Sequence, residues 1–291
     1  MAGPEFYRPS DPGEAYELLA RHGEKATVLA GGTNVMPSLN RRKFSPEILI
    51  WIGGIGLNHI RTEGDSLVIG ATATHSEICK SEIVLNKAPL LAEVCGQVGS
   101  RAIRNTGTIG GNLANASHAA DGAVALLALE AEIKLARTEG ERTVSVDSFF
   151  TGPGKTVKKP GELLKEIIVP FQTKNAEYGW YKLGQRKACT RSVISVATAL
   201  HMDSATCQKA IIALGSAGPT PLLARNAGTM LENRVLDKTL IEQAAKAVSD
   251  ETSPVDDRHG TAWYKKRVSM VIVKRLLEQI SQKKGGYDAC S

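Results

Sequence analysis

Metal-binding cysteine motifs are missing from this 291-residue sequence. Its five cysteines are odd in number and widely spaced, and no C-x-x-C pair is present that could hold zinc or an iron–sulfur cluster. These cysteines are Cys79, Cys95, Cys189, Cys207 and Cys290. The pattern excludes a metal centre held by this chain alone and predicts reduced thiols.

Long apolar runs are also missing, because no stretch of about 18 apolar residues is present to cross a bilayer. Residues 1–10 contain no charged segment followed by an apolar stretch and a small-residue cleavage site, so no secretory signal is expected. Together with the reduced thiols that the cysteine pattern predicts, these absences predict a soluble protein of the cytoplasm.

Aromatic residues are scarce, at 5% of the chain, and the basic excess is small, with 36 basic against 30 acidic residues. The basic residues stand in short scattered groups, without the interleaved aromatic residues on which single-stranded nucleic acids stack. Nucleic acid is therefore not expected as a partner, and the net charge of +6 predicts a solvated surface.

Motifs for protein-based catalysis and for the common nucleotide folds are absent as well. The six histidines form no H-E-x-x-H, and no G-x-S-x-G is present. Gly53-Gly54-Ile55-Gly56 lacks the spacing of a Rossmann fold, and ahead of Gly154-Lys155 the first glycine of a P-loop is replaced by Phe149. The chemistry is therefore expected to come from a cofactor.

Glycine, by contrast, is abundant, with 28 residues, and two Gly-Gly pairs stand in matching surroundings. Both A-G-G-T-N at 30–34 and T-I-G-G-N at 108–112 place the pair beside small hydroxyl and amide side chains. Glycine has no Cβ and accepts positive φ angles, so two such loops together could direct backbone N–H groups at a diphosphate. Either pair alone would be interpreted as an ordinary tight turn.

The predicted elements indicate an α+β protein. A helix is expected from Pro12 to about His22, followed by a strand at 27–30 that ends in a Gly-Gly turn and not in a helix. The second glycine cluster is likewise expected to be a turn. Further elements are expected as strands at 47–52, 132–136, 142–146, 163–169, 178–183, 193–201 and 209–214, a hairpin at 60–71, and helices after Thr74 and at 89–99, 121–129 and 261–282. A polar change of pattern at 170–177 predicts a domain connection.

The two glycine motifs and their surroundings resemble the paired FAD-binding motifs of the molybdenum hydroxylase flavoprotein subunits. These subunits include the medium subunit of carbon monoxide dehydrogenase and the FAD subunits of xanthine and nicotinate dehydrogenases. A-G-G-T-N at 30–34 and T-I-G-G-N-L-A-N-A-S-x-x-x-D at 108–121 carry the resemblance, which continues through G-E-L-L at 161–164 and Y-K-L-G-Q-R-K-A at 181–188. His118 replaces a frequent proline and Asn34 a frequent aspartate or serine, but neither change removes the backbone of the motifs.

The resemblance implies an FAD-binding domain of the vanillyl-alcohol-oxidase (PCMH) type at residues 1–172. Two α/β subdomains are implied within it, at about 1–53 and 54–172. A C-terminal α+β domain of the carbon monoxide dehydrogenase flavoprotein type is implied at 176–291, with a three-stranded antiparallel sheet and helices.

The same resemblance implies where FAD is held. The glycine motifs would clamp the diphosphate, Asp121 would face the adenosine ribose, and Leu164 and Lys182 would line the flavin or adenine region. Lys182 would favour negative charge on the reduced flavin by Coulomb attraction. The FAD-binding residues implied in full are Val28, Leu29, Ala30, Gly31, Gly32, Thr33, Asn34, Thr108, Ile109, Gly110, Gly111, Asn112, Asp121, Leu164 and Lys182.

The function implied is that of an electron-transfer subunit and not of a complete enzyme. Electrons from a molybdopterin centre on a large partner would pass through 2Fe-2S clusters on a small partner to this FAD, and then to NAD or another acceptor. The complex would be a dimer of heterotrimers. Two alternatives stay open: a stand-alone flavin oxidoreductase related to the UDP-N-acetylenolpyruvoylglucosamine reductases, and a nucleotide-binding scaffold without redox turnover.

Overall fold

The computed structural model describes residues 3–186 and 189–284 of the chain. The chain divides into two compact units, the first comprising residues 1–116 and 131–170 and the second residues 117–130 and 171–291. Residues 117–130 therefore leave the first unit for the second, and the chain then returns. Cys290 and two positions of the 181–188 motif lie outside the described residues.

Strands and helices are numbered in chain order. The strands are β1 Glu5–Tyr7, β2 Ala26–Leu29, β3 Ile48–Trp51, β4 Ile60–Glu63, β5 Ser66–Gly70, β6 Glu132–Arg137, β7 Gly140–Ser145, β8 Phe150–Gly152, β9 Lys155–Thr156, β10 Leu163–Pro170, β11 Ala176–Gly184, β12 Ser192–Asp203, β13 Thr206–Gly215, β14 Leu222–Leu223 and β15 Arg234–Val235. The helices are α1 Pro12–His22, α2 Val35–Asn40, α3 His75–Lys80, α4 Glu82–Lys87, α5 Pro89–Gly96, α6 Arg101–Thr106, α7 Ile109–Ala114, α8 Asp121–Ala128, α9 Val146–Phe149, α10 Arg225–Leu231, α11 Lys238–Glu251 and α12 Ala262–Lys283.

A small parallel sheet of order β1-β3-β2 begins the first unit. Helix α1 packs against it, and the buried apolar face of α1 forms one core cluster with the side chains of β3. The helix begins as the sequence predicts, because the Asp11 carboxylate accepts the Glu14 N–H at 3.0 Å and Pro12 occupies the first turn. The strand β1 was not predicted.

An antiparallel sheet of order β4-β5-β10-β6-β7 forms the rest of the framework of the first unit. The predicted hairpin is confirmed as β4 and β5, and the predicted capping box is confirmed at Thr74, whose hydroxyl accepts the Glu77 N–H at 3.2 Å. Strand β10 lies at the centre of the sheet, so its side chains are largely buried.

The Gly53-Gly54 pair serves packing in the first unit. A Cβ placed at Gly53 would lie 2.4 Å from the Trp51 ring, and the Arg8 guanidinium lies over the same ring at 4.7 Å from its centroid. The missing side chains of Gly53 and Gly54 therefore leave room for the indole ring of Trp51. This packing role agrees with the sequence-based exclusion of a Rossmann motif at these glycines.

The second unit is built on three long antiparallel strands in the order β11-β12-β13. The two-residue strands β14 and β15 pair with β13 at its ends. Helix α8 packs on β12 and β13, α12 packs on β11 and β12, and every residue of α8 is buried. The predicted three-stranded sheet with helices is confirmed, with two short strands added.

Candidate cofactor-binding site

A cavity of about 380 Å³ lies in the first unit, and both glycine motifs contribute to its wall. Eleven of the fifteen residues implied by the resemblance line it, namely Val28, Ala30, Gly31, Gly32, Thr33, Asn34, Thr108, Gly110, Gly111, Asn112 and Leu164. Leu29 and Ile109 are buried beside these residues without lining the cavity. The fold thus brings together two motifs that are 79 positions apart in the sequence, from Gly31 to Gly110.

The first motif presents a row of unused backbone N–H groups. Within the parts of the chain that the structure describes, the amides of residues 31–35 donate no hydrogen bond to protein atoms. Gly32 has a φ of +69°, which an L side chain rarely adopts. Gly31 is required for a different reason, because a Cβ there would lie 1.7 Å from the Thr106 carbonyl oxygen. Consecutive unpaired amides of this kind bind anions.

A short helix follows the first motif, so the prediction that its turn does not lead into a helix is wrong. Helix α2 begins at Val35, only six residues after β2 ends at Leu29. Its first hydrogen bond runs from the Met36 N–H to the Gly32 carbonyl at 3.0 Å. The positive φ of Gly32 is what turns the chain into this helix.

The second motif is the first turn of helix α7, so the prediction of a second turn is wrong. The Thr108 hydroxyl caps the helix by accepting the Gly111 N–H at 3.1 Å. The Ile109 and Gly110 amides donate to carbonyls of the segment 71–73 at 3.0 and 2.9 Å. Because these amides are used inside the protein, the second motif shapes the wall, and the free donors belong to the first motif.

Glycine in the second motif is explained by close packing. A Cβ at Gly110 would lie 2.6 Å from the Ala71 carbonyl oxygen, while a Cβ at Gly111 would meet only the Thr108 hydroxyl, at 2.8 Å. The two motifs are also joined directly, since the Asn34 side-chain amide donates to Asn115 Oδ1 at the end of α7. Asn34 therefore connects the loop of the first motif to the helix of the second.

The residues of this cavity fit FAD. The free amides of 31–35 would accept the diphosphate oxygens, and the absence of side chains at Gly31 and Gly32 lets the backbone approach them. Asn112 Oδ1 is buried and has no hydrogen-bond partner among the described residues, so it is available to a ligand N–H or O–H group. Apolar side chains such as Val28, Ile52 and Leu164 supply surface for a ring system.

Three residues that can carry charge line the cavity without having been predicted: His75, Lys158 and Glu162. His75 begins α3, and burial followed by the charge of Arg104 lowers its pKa to about 4, so it is neutral at pH 7. Its Nδ1 lies 3.5 Å from Cys95 Sγ. The sequence signals near them were the capping box before His75 and the G-E-L-L motif at 161–164, which contains Glu162 but gave it no role. Nothing in the sequence indicated Lys158.

Glu162 is a buried carboxylate held by a fork of hydrogen bonds. Arg142 donates to it from Nε at 2.7 Å and from Nη2 at 2.9 Å, and the Lys159 N–H donates at 2.6 Å. Burial alone would raise the pKa of the Glu162 carboxyl, but the Arg142 hydrogen bonds and charge outweigh burial and lower it. The carboxylate is therefore ionised and neutralised by Arg142.

Asp121 and Lys182 lie in the second unit and contact each other. Lys182 Nζ is 2.6 Å from Asp121 Oδ2, and the Ser192 hydroxyl donates to Asp121 Oδ1 at 2.5 Å. Asp121 begins α8, whereas Lys182 and Ser192 come from β11 and β12. The structure thus joins two residues to which the resemblance gives separate roles.

Comparison with known proteins identifies the family. Residues 2–172 match the profile of the FAD binding domain in molybdopterin dehydrogenase, and residues 179–280 match that of the CO dehydrogenase flavoprotein C-terminal domain. The chain belongs to this family of molybdopterin dehydrogenase flavoproteins. Its FAD-binding domain, its C-terminal flavoprotein domain and its membership of the molybdenum hydroxylases confirm the sequence-based predictions of family, fold class and cofactor.

Similar proteins extend over the whole chain. The carbon monoxide dehydrogenase medium chain of Afipia carboxidovorans is 33% identical over 94% of this chain and 96% of its own length. The glyceraldehyde dehydrogenase medium chain of Sulfolobus acidocaldarius is 31% identical, with 97% and 100% covered. In the solved structure of carbon monoxide dehydrogenase from Hydrogenophaga pseudoflava, which lacks the Mo-pyranopterin moiety, a chain superposes with a TM-score of 0.93 at 33% identity, covering 97% and 98%.

These similarities show an FAD-binding medium subunit of a molybdenum hydroxylase, which makes the chain an oxidoreductase subunit. In this family the molybdopterin and the iron–sulfur clusters are carried by partner subunits. The relatives are named as medium chains, which does not favour the stand-alone alternative. Among the described helices, none is both long and apolar enough to cross a membrane.

Proposed function

We propose that this chain receives electrons from the iron–sulfur clusters of a small partner subunit and passes them through FAD to NAD or another acceptor. The single observation that supports the assignment is the row of unbonded amides at 31–35, which faces a cavity whose wall includes the second glycine motif. Bound FAD would supply the exchange between single electrons and an electron pair. The residues of this chain would hold FAD, exclude water from it and set its charge environment.

The proposed binding site consists of the fifteen residues implied by the resemblance, with different tasks for different members. The amides following Gly31 would bind the diphosphate, and the wall formed by Gly110 and Gly111 would limit the space around it. Asp121 and Lys182 would act as one unit because they are ion-paired. In this arrangement Asp121 holds the Lys182 ammonium in position, and Lys182 acts on the charge of the flavin.

The proposed assembly is a dimer of heterotrimers with an iron–sulfur small subunit and a molybdopterin large subunit. We propose domain limits of 1–172 and 176–291, which the change of sequence pattern at 170–177 supports. The proposed location is the cytoplasm, which is supported by the reduced thiols of Cys79, Cys189 and Cys207.

FAD binding by the first motif is tested with Gly32→Val in the full-length chain depleted of FAD. Valine is strained at a φ of +69°, and its Cβ would lie 3.1 Å from Met36 Cγ, so the amides of 31–35 must shift. We expect affinity for FAD to fall about tenfold or more, measured by quenching of flavin fluorescence.

The matched control is Gly64→Val at the tip of the β4–β5 hairpin. Gly64 also has a positive φ, +54°, and a Cβ there meets no atom within 4 Å. The backbone strain is therefore similar, while the cavity is untouched. Equal loss of FAD in both variants, or no loss in either, would contradict the assignment of the diphosphate to the first motif.

The electron acceptor is tested on the purified complex. After reduction by its substrate, the complex should form NADH when NAD is added, measured as absorbance at 340 nm. Reduction of an artificial dye without formation of NADH would remove NAD from the proposal and leave another acceptor.

A further inference from the structure

Lys158 places a positive charge on the cavity wall, in the turn between β9 and β10. Its side chain is fixed by donation from Nζ to the Glu162 carbonyl oxygen at 2.9 Å, and its backbone N–H donates to the Thr156 hydroxyl at 3.3 Å. One ammonium hydrogen bond is thus used on the main chain, which leaves two donors of this group for other partners.

No carboxylate among the described residues lies within 4.0 Å of Lys158 Nζ. The acidic residue on the same turn, Glu162, is already neutralised by Arg142. His75, the third lining residue that can carry charge, is neutral at pH 7. Of the charges on the cavity wall, that of Lys158 is the one left without a counter-charge.

The environment of Lys158 disfavours its charge in the absence of a ligand. Burial lowers the pKa of the ammonium group, and the nearby Glu162 carboxylate offsets only part of that effect. A ligand that brings negative charge next to the group would relieve this cost. The free amides of 31–35 add further hydrogen-bond donors to the same cavity, so its wall is complementary to an anion.

We propose that Lys158 is a binding residue for the diphosphate of FAD in this cavity. The oxidised flavin ring is neutral, so the diphosphate carries the negative charge that the dinucleotide brings. The inference rests on the proposed assignment of the cavity to FAD and adds to it the group that supplies the counter-charge. A cationic side chain here would act together with the amides of the first motif, as point charge and dipoles do at other phosphate sites.

The test measures the affinity of the FAD-depleted full-length chain for FAD and for ADP, which contains the diphosphate but no flavin. Lys158→Met keeps the length of the side chain and removes its charge, and we expect it to weaken binding of both ligands about tenfold or more. Lys158→Arg should retain binding within about threefold. Lys159→Met, which removes the neighbouring exposed ammonium, serves as the matched control and should leave both affinities unchanged.

Two results would overturn the proposal: equal affinities of wild type and Lys158→Met for both ligands, or weaker FAD binding with unchanged ADP binding, which would place Lys158 at the flavin. If the Met variant does not fold, as judged by thermal unfolding, Lys158→Gln replaces it, because glutamine can still donate to the Glu162 carbonyl. Failure of the site assignment itself is distinguishable, because Gly32→Val would then keep FAD as well.

Discussion

The carboxylate of Asp121 is shared between Lys182 and Ser192, and all three side chains are largely excluded from water. A buried ion pair adds little stability relative to apolar residues, but the loss of one partner leaves a charge without compensation. Asp121 and Lys182 are 61 positions apart and come from α8 and β11, so their contact fixes a helix against a sheet. The pair should therefore show strong energetic coupling.

A double-mutant cycle on Asp121→Asn and Lys182→Met measures that coupling. We expect each single variant to lower the free energy of unfolding by about 3 kcal/mol, and the double variant to cost about 1–3 kcal/mol less than the sum. Urea unfolding followed by circular dichroism gives the values.

The exposed pair Lys25–Glu47 is the control for this cycle, since both side chains are 64% accessible. Its coupling should stay below about 1 kcal/mol. A buried pair that couples no more strongly than this surface pair would show that Asp121 and Lys182 are held independently.

At the scale of the element, β10 carries an ion cluster that connects three strands. Glu166 of β10 is only 4% exposed and lies 3.0 Å from each of Arg61 on β4 and Lys134 on β6. His59 Nε2 lies at the same distance. Burial would raise the pKa of the Glu166 carboxyl, but Lys134 and Arg61 outweigh burial and lower it to about 2.

This lowered pKa predicts how stability depends on pH. The folded state binds the Glu166 proton more weakly than the unfolded chain, so the stabilisation is complete above about pH 5 and is lost as the pH falls toward 2. We expect Glu166→Gln to lower the free energy of unfolding at pH 7 by about 2–3 kcal/mol and to flatten its decline in acid. Glu63→Gln removes an exposed partner of Arg61 and should leave the decline of the free energy of unfolding in acid unchanged. If the free energy of unfolding of Glu166→Gln fell with pH as steeply as that of the wild type, Glu166 would not be the source of this pH dependence.

Elements with strong local signals could be predicted from the sequence, and elements that depend on distant contacts could not. The capped helix α1 and the β4–β5 hairpin have cap and turn residues that favour one structure. Strand β1 has only three residues and exists because it pairs with β3, more than forty positions away. Helix α7 contains the Gly110-Gly111 pair, which opposes helix formation, and the Thr108 cap and the contacts of its first amides with the segment 71–73 overcome that preference. Helix α2 has only six residues and no side-chain cap, so its sequence carries little local signal.

The candidate site divides in the same way. Each glycine motif is contiguous in the sequence, so the two motifs indicate a diphosphate-binding site before the fold is known. Lys158 joins the cavity because the turn between β9 and β10 presents it there, and no spacing rule predicts that turn. Glu162 lies in the G-E-L-L motif, but its place on the cavity wall becomes visible only in the fold. Gly31 is required because the Thr106 carbonyl oxygen lies close to it, and Gly32 because its φ angle is positive. Neither the contact nor the angle can be predicted from the sequence.

At the scale of the whole molecule, the chain passes between its two units three times, because residues 117–130 belong to the second unit. Helix α8 within this segment covers β12 and β13, and a Cβ at Gly215 of β13 would lie 2.8 Å from Val124 Cγ2. The second unit therefore needs a helix from the N-terminal half of the sequence.

We expect residues 171–291 expressed alone to unfold without a cooperative transition, because the apolar surface under α8 would face water. Residues 117–130 joined ahead of this fragment through a Gly/Ser linker of about 15 residues should restore a sharp urea transition. Circular dichroism of the two fragments makes the comparison. A fragment that unfolds cooperatively without α8 would show that the helix is not part of the folding unit.

The placement of α8 also has a consequence for synthesis on the ribosome. The helix is made entirely of residues that end up buried, and its sheet partners β12 and β13 begin only at Ser192. At a synthesis rate of roughly 5–20 residues per second, strands β12 and β13 are completed on the order of ten seconds after the apolar helix. During that interval the apolar residues of this segment are exposed to solvent, and we expect a chaperone to bind the nascent chain at residues 121–128.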